Sequence, residues 1–315
     1  MPTFDSRRLL ENLIARAEPR IRRRFGEIIL RLKRENNLVD LARLIETGRI
    51  DEALTLLGSV ANQLATTVQA VWIGAGSEVA RAMSSALGIT VSFDVTNFGA
   101  VNAMQNNKLA LVREFTSQQR AATREALLDG ISRGLNPREQ ARAFRDSIGL
   151  TARQQRAVNN YRRLLEQNSA EALTRRLRDA RFDRSLRAAI ANEQPLSRGQ
   201  IDRMVERYRD RYLKHRSEVI ARTEALRSVH EGAEESFRQA MAEGHFTPEE
   251  VRRLWNTARD ERVRSTHATM HRQEQPVGVP FISGAGAALR YPGDAAAPPE
   301  ESIQCRCVVA TRVEL

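Results

Sequence analysis

The chain is 315 residues long, 41% hydrophobic and only 5% aromatic, with a formal charge of +11 from 50 Lys+Arg against 39 Asp+Glu. This length allows two or three small domains, and so few rings point to many small helix–helix contacts rather than one heavy aromatic core. Three classes are excluded: no run of about eighteen apolar residues could cross a membrane, no apolar segment follows Met1–Arg8 as a secretory signal requires, and no Gly-rich phosphate loop serves an ATP-driven motor.

In chain order, Leu9, Leu10, Leu13, Ile14 and Ala17 fall at helical spacing, and Ile28, Ile29 and Leu32 continue a stripe. Asn36-Asn37 breaks this helix; Leu38–Ile45 forms a short one, ended by Thr47-Gly48. A long helix rich in small residues is expected from about Asp51 to Ala86, with Gly74-Ala75-Gly76 as a point of interruption. Ile89, Val91, Phe93 and Val95 then alternate with polar residues, so Gly88–Asn97 reads as an isolated strand or an extended connector, a hinge between helical units.

Helix resumes from Val101 to about Gly149. Asn136 is placed to cap, Pro137 suits a first turn and Glu139 is the acid three residues on; Thr151 and Gln154 repeat the device. A charged helix from about Gln155 is broken near Asp179–Asp183 and again at Gln194–Ser197, and a further helix runs to about Gly244. These long helices are expected to be mostly solvated. Thr247-Pro248-Glu249-Glu250 opens a short helix or turn. After Gln275 the chain is Gly/Pro-rich loop with short strands, ending in a β-branched run from Cys305 to Ala310 that reads as a buried strand. The expected fold class is mainly α, an elongated helical body with a small C-terminal α+β module, in three segments: 1–98, 99–246 and 247–315.

Almost all of the basic charge is arginine, since lysine occurs only at Lys33, Lys108 and Lys214. Codon usage explains such a bias; so does contact with phosphates or an acidic partner, which the guanidinium fork makes well. The first helix carries Arg7, Arg8, Arg16, Arg20, Arg22, Arg23, Arg24, Arg31, Lys33 and Arg34 against Glu11, Glu18 and Glu27, and could lie on DNA or an acidic neighbour. Phe25 is the one aromatic among these arginines, which argues against a base-stacking platform.

Cys305 and Cys307 are the only cysteines, and a strand would put both on one face. A disulfide between them is strained. With His267 and His271, four apart and on one face of a helix, they would complete a tetrahedral structural zinc site pinning a loop with little core of its own. The alternative is two small buried cysteines and two hydrogen-bonded histidines. Trp255, Thr257, Asp260, Arg262, Arg264 and His267 form a dense polar cluster. It reads either as an Asp260–His267 acid/base pair acting on a phosphodiester, or as a brace in which Asp260 caps a turn and Arg264 pairs with a carboxylate. Arg222-Thr223-Glu224 has the form of an ADP-ribosyltransferase triad, but lies within a strongly helical pattern.

The order Ile220-Ala221-Arg222-Thr223-Glu224, Trp255, Asp260–His267, Phe281, Tyr291-Pro292-Gly293-Asp294 and Ile303-Gln304-Cys305-Arg306-Cys307 resembles the C-terminal domain of the Mu F-like, or SPP1-type, phage head morphogenesis family. Gln304 stands where the family's Asn-Cys-Arg-Cys has asparagine. Looser similarity reaches back through 149–162 to Val91–Asn97. The resemblance implies a minor capsid protein rather than an enzyme, made in the host cytoplasm and carried in the virion at the portal vertex or capsid interior. It implies the portal protein and the major capsid or scaffolding protein as partners, with packaged DNA and ejection alongside it as further expectations. The alternative is a phage-borne effector or nuclease acting on nucleic acid through the C-terminal module. With eight residues after Cys307, no toxin-like extension is expected.

Overall fold

The computed structural model describes residues 2–35, 37–49, 51–52 and 60–315, so residues 53–59 of the expected Asp51–Ala86 helix lie outside the described residues. The fold is mainly α, as expected. Helix α1 runs Arg7–Glu35 with Pro19 inside it. Helix α2 is Leu38–Glu46, and its first turn is closed by Asn37, whose side chain accepts from Val39 N. Helices α3 (Val60–Leu87) and α4 (Phe98–Ser132) follow.

Between α3 and α4, residues 88–97 form an irregular connector and not a strand. Its alternating apolar residues have no sheet to face. Phe93 instead packs against Trp72, with ring centroids 5.3 Å apart, and its ring fills the space a side chain at Gly76 would need, 2.3 Å from the ideal Cβ. The glycines at 74 and 76 therefore do not interrupt α3; Gly76 is where the connector docks.

Helices α5 (Pro137–Ser147) and α6 (Ala152–Glu166) start where the capping residues indicate. Asn136 accepts from Glu139 N, and Thr151 and Gln154 form a reciprocal capping box. Two 3-10 turns, Ala170–Thr174 and Ala180–Phe182, lead to α7 (Asp183–Ala191) and then α8 (Arg198–Ala242), a single helix of 45 residues.

The strands are β1 (Thr3–Asp5), β2 (Val251–Asn256), β3 (Glu274–Gln275), β4 (Phe281–Ile282), β5 (Ala288–Leu289) and β6 (Val308–Glu314). Two one-turn helices, α9 (Ser265–Ala268) and α10 (Pro299–Ser302), lie among them. One antiparallel sheet has the order β1-β6-β2-β3, and β4 pairs with β5. Phe4 stands opposite Val313, and Trp255 opposite Val309. The first residues of the chain thus complete a sheet otherwise built from its last sixty-odd.

The described residues fall into two compact units: Met1–Phe25, Leu64–Ala110 and Glu218–Leu315 in one, Gly26–Gln63 and Leu111–Ser217 in the other. This division does not follow the consecutive segments 1–98, 99–246 and 247–315, because α1, α4 and α8 each contribute residues to both groups. In the second unit Tyr161 stacks on Tyr208 with centroids 4.3 Å apart, among Leu150, Leu165, Leu186, Met204 and Val205. The buried Arg216 guanidinium there donates to Gly149 O at 2.8 Å and to Gln118 Oε1 at 2.7 Å.

In the first unit the later half of α8 is buried on nearly every side, not solvated as its polar sequence suggested. Its acids are neutralised where they lie. Arg238 reaches Glu234 and Glu235, Arg227 pairs with Glu224, and His230 takes a hydrogen bond from Val309 N at 3.1 Å. Gly232 lets α8 touch α3 backbone to backbone, since a Cβ there would lie 2.3 Å from Trp72 O and 3.2 Å from Gly76 N. Alanine in place of glycine within a helix normally stabilises by up to about 1 kcal/mol. Here the sign reverses: Gly232→Ala is expected to destabilise by about 2 kcal/mol, read from urea unfolding, because carbonyl and amide backbone cannot yield as a side chain can. A variant as stable as the parent would show that the two helices are not this close.

Candidate metal centre

Three short segments of the first unit converge on one buried point. After β2, the loop 257–264 turns into α9, which carries His267. Helix α10 carries Glu301 and ends at Ile303-Gln304. Gln304 has φ +57°, a left-handed conformation that asparagine and glycine adopt more readily than glutamine. This explains an asparagine at the matching position of the resembled family. The Gln304 amide donates to Thr223 Oγ1 on α8 at 3.1 Å, anchoring the turn. Cys305-Arg306-Cys307 follows as an extended connector, and β6 starts only at Val308. The cysteines converge because of this turn, and not by sharing a strand face.

His267 Nδ1 lies 3.4 Å from Cys305 Sγ and 3.6 Å from Cys307 Sγ. The three ligand atoms lie within 4.8 Å of one another, so the cluster can hold a metal ion. One nitrogen has a single lone pair or a single proton, and can serve only one sulfur in a hydrogen bond; an ion serves both at once. The edges agree: Zn–S of about 2.3 Å and Zn–N of about 2.0–2.1 Å put tetrahedral N and S ligands about 3.6 Å apart. The Cys307 amide donates to Cys305 Sγ at 3.4 Å, which favours a thiolate there. The Trp255 indole N–H is buried and has no hydrogen-bond partner among the described residues. Hydrogen bonding from Cys307 first, and then from His267, holds the Cys305 thiol well below the ordinary range against the effect of burial. Its partner Cys307 is pushed up, by the hydrogen bond it gives Cys305 and by burial.

His271 does not join them. Helix α9 is a single turn ending at Ala268, so the four-residue spacing that would align the two histidines on one helical face is lost. His271 Nδ1 instead faces Thr257, 3.3 Å from its amide and 3.2 Å from its hydroxyl. The ligand set that the structure assembles is His267, Cys305 and Cys307. One residue was missed in the sequence: Glu301, whose Oε2 lies 2.8 Å from His267 Nε2. An acid in a Pro-Pro-Glu-Glu-Ser stretch resembles any helix start, and nothing in the spacing ties it to His267.

The remaining polar residues brace this point. Asp260 accepts from Arg262 N at 3.1 Å, as a turn cap does, and ion-pairs with Arg306. Arg264 donates to the Ile303 carbonyl, not to a carboxylate. Asp260 and His267 therefore have separate partners. On α8, Arg222 pairs with Glu18, Thr223 takes the Gln304 amide and Glu224 pairs with Arg227, so these three residues are committed to structure.

Residues 170–310 match the family described as phage Mu protein F like. No curated protein and no solved structure matches the chain. The Mu F-like span begins in the first 3-10 turn and closes within β6, enclosing α7, α8 and the whole cluster. It bears out the resemblance carried by the Trp255 to Cys307 motifs; the looser similarity over 90–169 lies outside it.

Within the Mu F-like span, the connectivity Cys305–His267–Glu301 is also that of a nucleophile, its base and an orienting carboxylate. Burial separates the two uses. Cys305 and His267 are 1% exposed, Cys307 2% and Glu301 4%. A nucleophile must meet its substrate, and these side chains are shut away from solvent.

Proposed function

We propose that this chain is a minor head protein of a tailed phage, acting in head morphogenesis by binding other capsid components and not by catalysis. The observation that carries the proposal is the Mu F-like match over residues 170–310, which encloses the buried His267, Cys305 and Cys307 cluster. In this reading the cluster holds a structural zinc ion that fixes the loops of the last sixty residues. The partners are the portal protein and the major capsid or scaffolding protein, and the protein resides at the portal vertex or capsid interior, from which it is ejected with the genome. The test is co-expression with the portal and major capsid proteins of its own phage, followed by sedimentation of the assembled heads. The chain is expected to sediment with heads, in few copies and only when portal is present. Heads of normal composition formed without it bound would overturn the proposal.

DNA is the further partner. Arg8, Arg20, Arg22 and Arg23 are exposed on α1 and, among the described residues, meet no acidic group. Such arginines are suited to phosphates. Replacing Arg20, Arg22 and Arg23 by glutamine is expected to lower the log–log salt dependence of duplex DNA binding by about 2–3, at about 0.9 for each phosphate no longer neutralised. An unchanged slope would remove DNA from this surface.

A further inference from the structure

We infer that Glu301 is the positioning carboxylate of the metal centre, fixing the ring of His267 so that Nδ1 presents its lone pair to the ion shared with Cys305 and Cys307. The inference rests on the metal reading above and names a residue that reading does not contain. Glu301 is 4% exposed, and among the described residues no lysine or arginine pairs with it. A carboxylate in such a place is costly unless its oxygens are all engaged. Thr266 Oγ1 donates to Oε2 at 3.0 Å, Ser283 Oγ reaches Oε1 at 3.5 Å, and His267 Nε2 stands 2.8 Å from Oε2, close but not in hydrogen-bond alignment.

The groups around this carboxylate are themselves held in place. Ser283 Oγ accepts from the amides of Ala285 and Ala287, which orients its own proton toward Glu301. The Ser283-Gly284 backbone is clamped on α9 by Gly284 N donating to Thr266 O at 2.8 Å. Only glycine fits there, since a Cβ at 284 would lie 2.9 Å from Thr269 Oγ1 and 3.3 Å from Thr266 Cα. Trp255 meets the His267 ring edge-on, at 5.5 Å and 87°, and limits its rotation. A proton on Nε2 would face Glu301 Oε2, 2.8 Å away. Nδ1 is then free to bind metal, and the carboxylate makes it a stronger donor. The three short segments so divide the centre between them. Helix α9 supplies the imidazole, 305–307 the sulfurs, and α10 the carboxylate.

The test uses the purified full chain and zinc and cobalt as probes. Zinc affinity is measured by competition with a chromophoric chelator for the parent, Glu301→Gln and Cys305→Ser/Cys307→Ser. The Gln variant keeps the shape and can still accept from Thr266, but lacks the charge. It is expected to bind zinc about 10- to 100-fold more weakly. Its cobalt complex is expected to retain the sulfur-to-metal absorption of the parent, since both thiolates remain. The double Ser variant is expected to bind neither metal. A Gln variant with parental zinc affinity but a lower melting temperature would overturn the inference, leaving Glu301 a merely structural acid. A folded parent that binds no zinc or cobalt would instead overturn the metal reading itself, so the two failures are distinct.

Discussion

Replacing Arg253 by alanine is expected to destabilise the first unit by about 3–5 kcal/mol, the range for removing one partner of a buried charged network. Arg253 lies on β2 with 2% of its surface exposed. Its guanidinium donates to Pro276 O at 3.1 Å, to Arg290 O at 2.9 Å and to the carbonyl of Val279. It lies 3.5 Å from Glu234 on α8 and 5.1 Å from the centre of the Phe281 ring. One side chain thus ties the Gly/Pro-rich loop at three carbonyls, to a helix by charge and to the core by its flat face. Truncation leaves these carbonyls buried without donors and one fewer cation beside Glu234. A lysine should recover only a part, because an ammonium cannot span three carbonyls from one plane. Urea unfolding of the parent, Arg253→Ala and Arg253→Lys measures this. An alanine variant within about 1 kcal/mol of the parent would show that water or Arg238 takes over the role.

Arg253 also shows why the sheet was hard to see in the sequence. The β2 segment Val251-Arg252-Arg253-Leu254-Trp255-Asn256 carries two adjacent arginines, one exposed and one buried. A period-two pattern fails when a charged residue faces inward. Strand β1 is only three residues long and gains its meaning from β6, about three hundred positions away. Long-range pairing of this kind leaves no local trace. The helices behaved differently. Asn136 and Thr151 marked their starts because a cap is a local hydrogen bond between neighbours in sequence. The polar face of α8 misled for the opposite reason, since its acids are paired with Arg238 on the same helix and with Arg253 from β2.

The metal centre was legible in its sulfurs and in one of the two histidines the sequence offered. Cys305 and Cys307 are close in sequence, and any fold brings them near each other. His267 was separated from His271 only by the length of α9, which ends one turn too early to align them. Glu301 is invisible in sequence because its relation to His267 depends on the clamp between Gly284 and Thr266.

A second large effect is expected from removing the sulfurs. Purified parent protein is expected to contain about one zinc per chain, and Cys305→Ser/Cys307→Ser none. The energetic consequence differs from that in a minimal zinc module, which is unfolded without its ion. Here Trp255, Met270, Phe281, Leu289 and Val309 form a buried core around the cysteines, so the loop has apolar packing of its own, contrary to what its Gly/Pro content suggested. Chelation should therefore loosen residues 257–307 while the β1-β6-β2 pairing and α8 persist. Limited proteolysis should cut within that span first. With free zinc at a hundred times its dissociation constant, the parent gains about 2.7 kcal/mol over the chelated form, and about 4.1 kcal/mol at a thousand times. The double variant should melt at one temperature whether zinc or chelator is present. A zinc-free parent that is folded and melts identically with and without chelator would leave Cys305 and Cys307 as core residues. His267 would then be a buried imidazole shared between a thiol and Glu301.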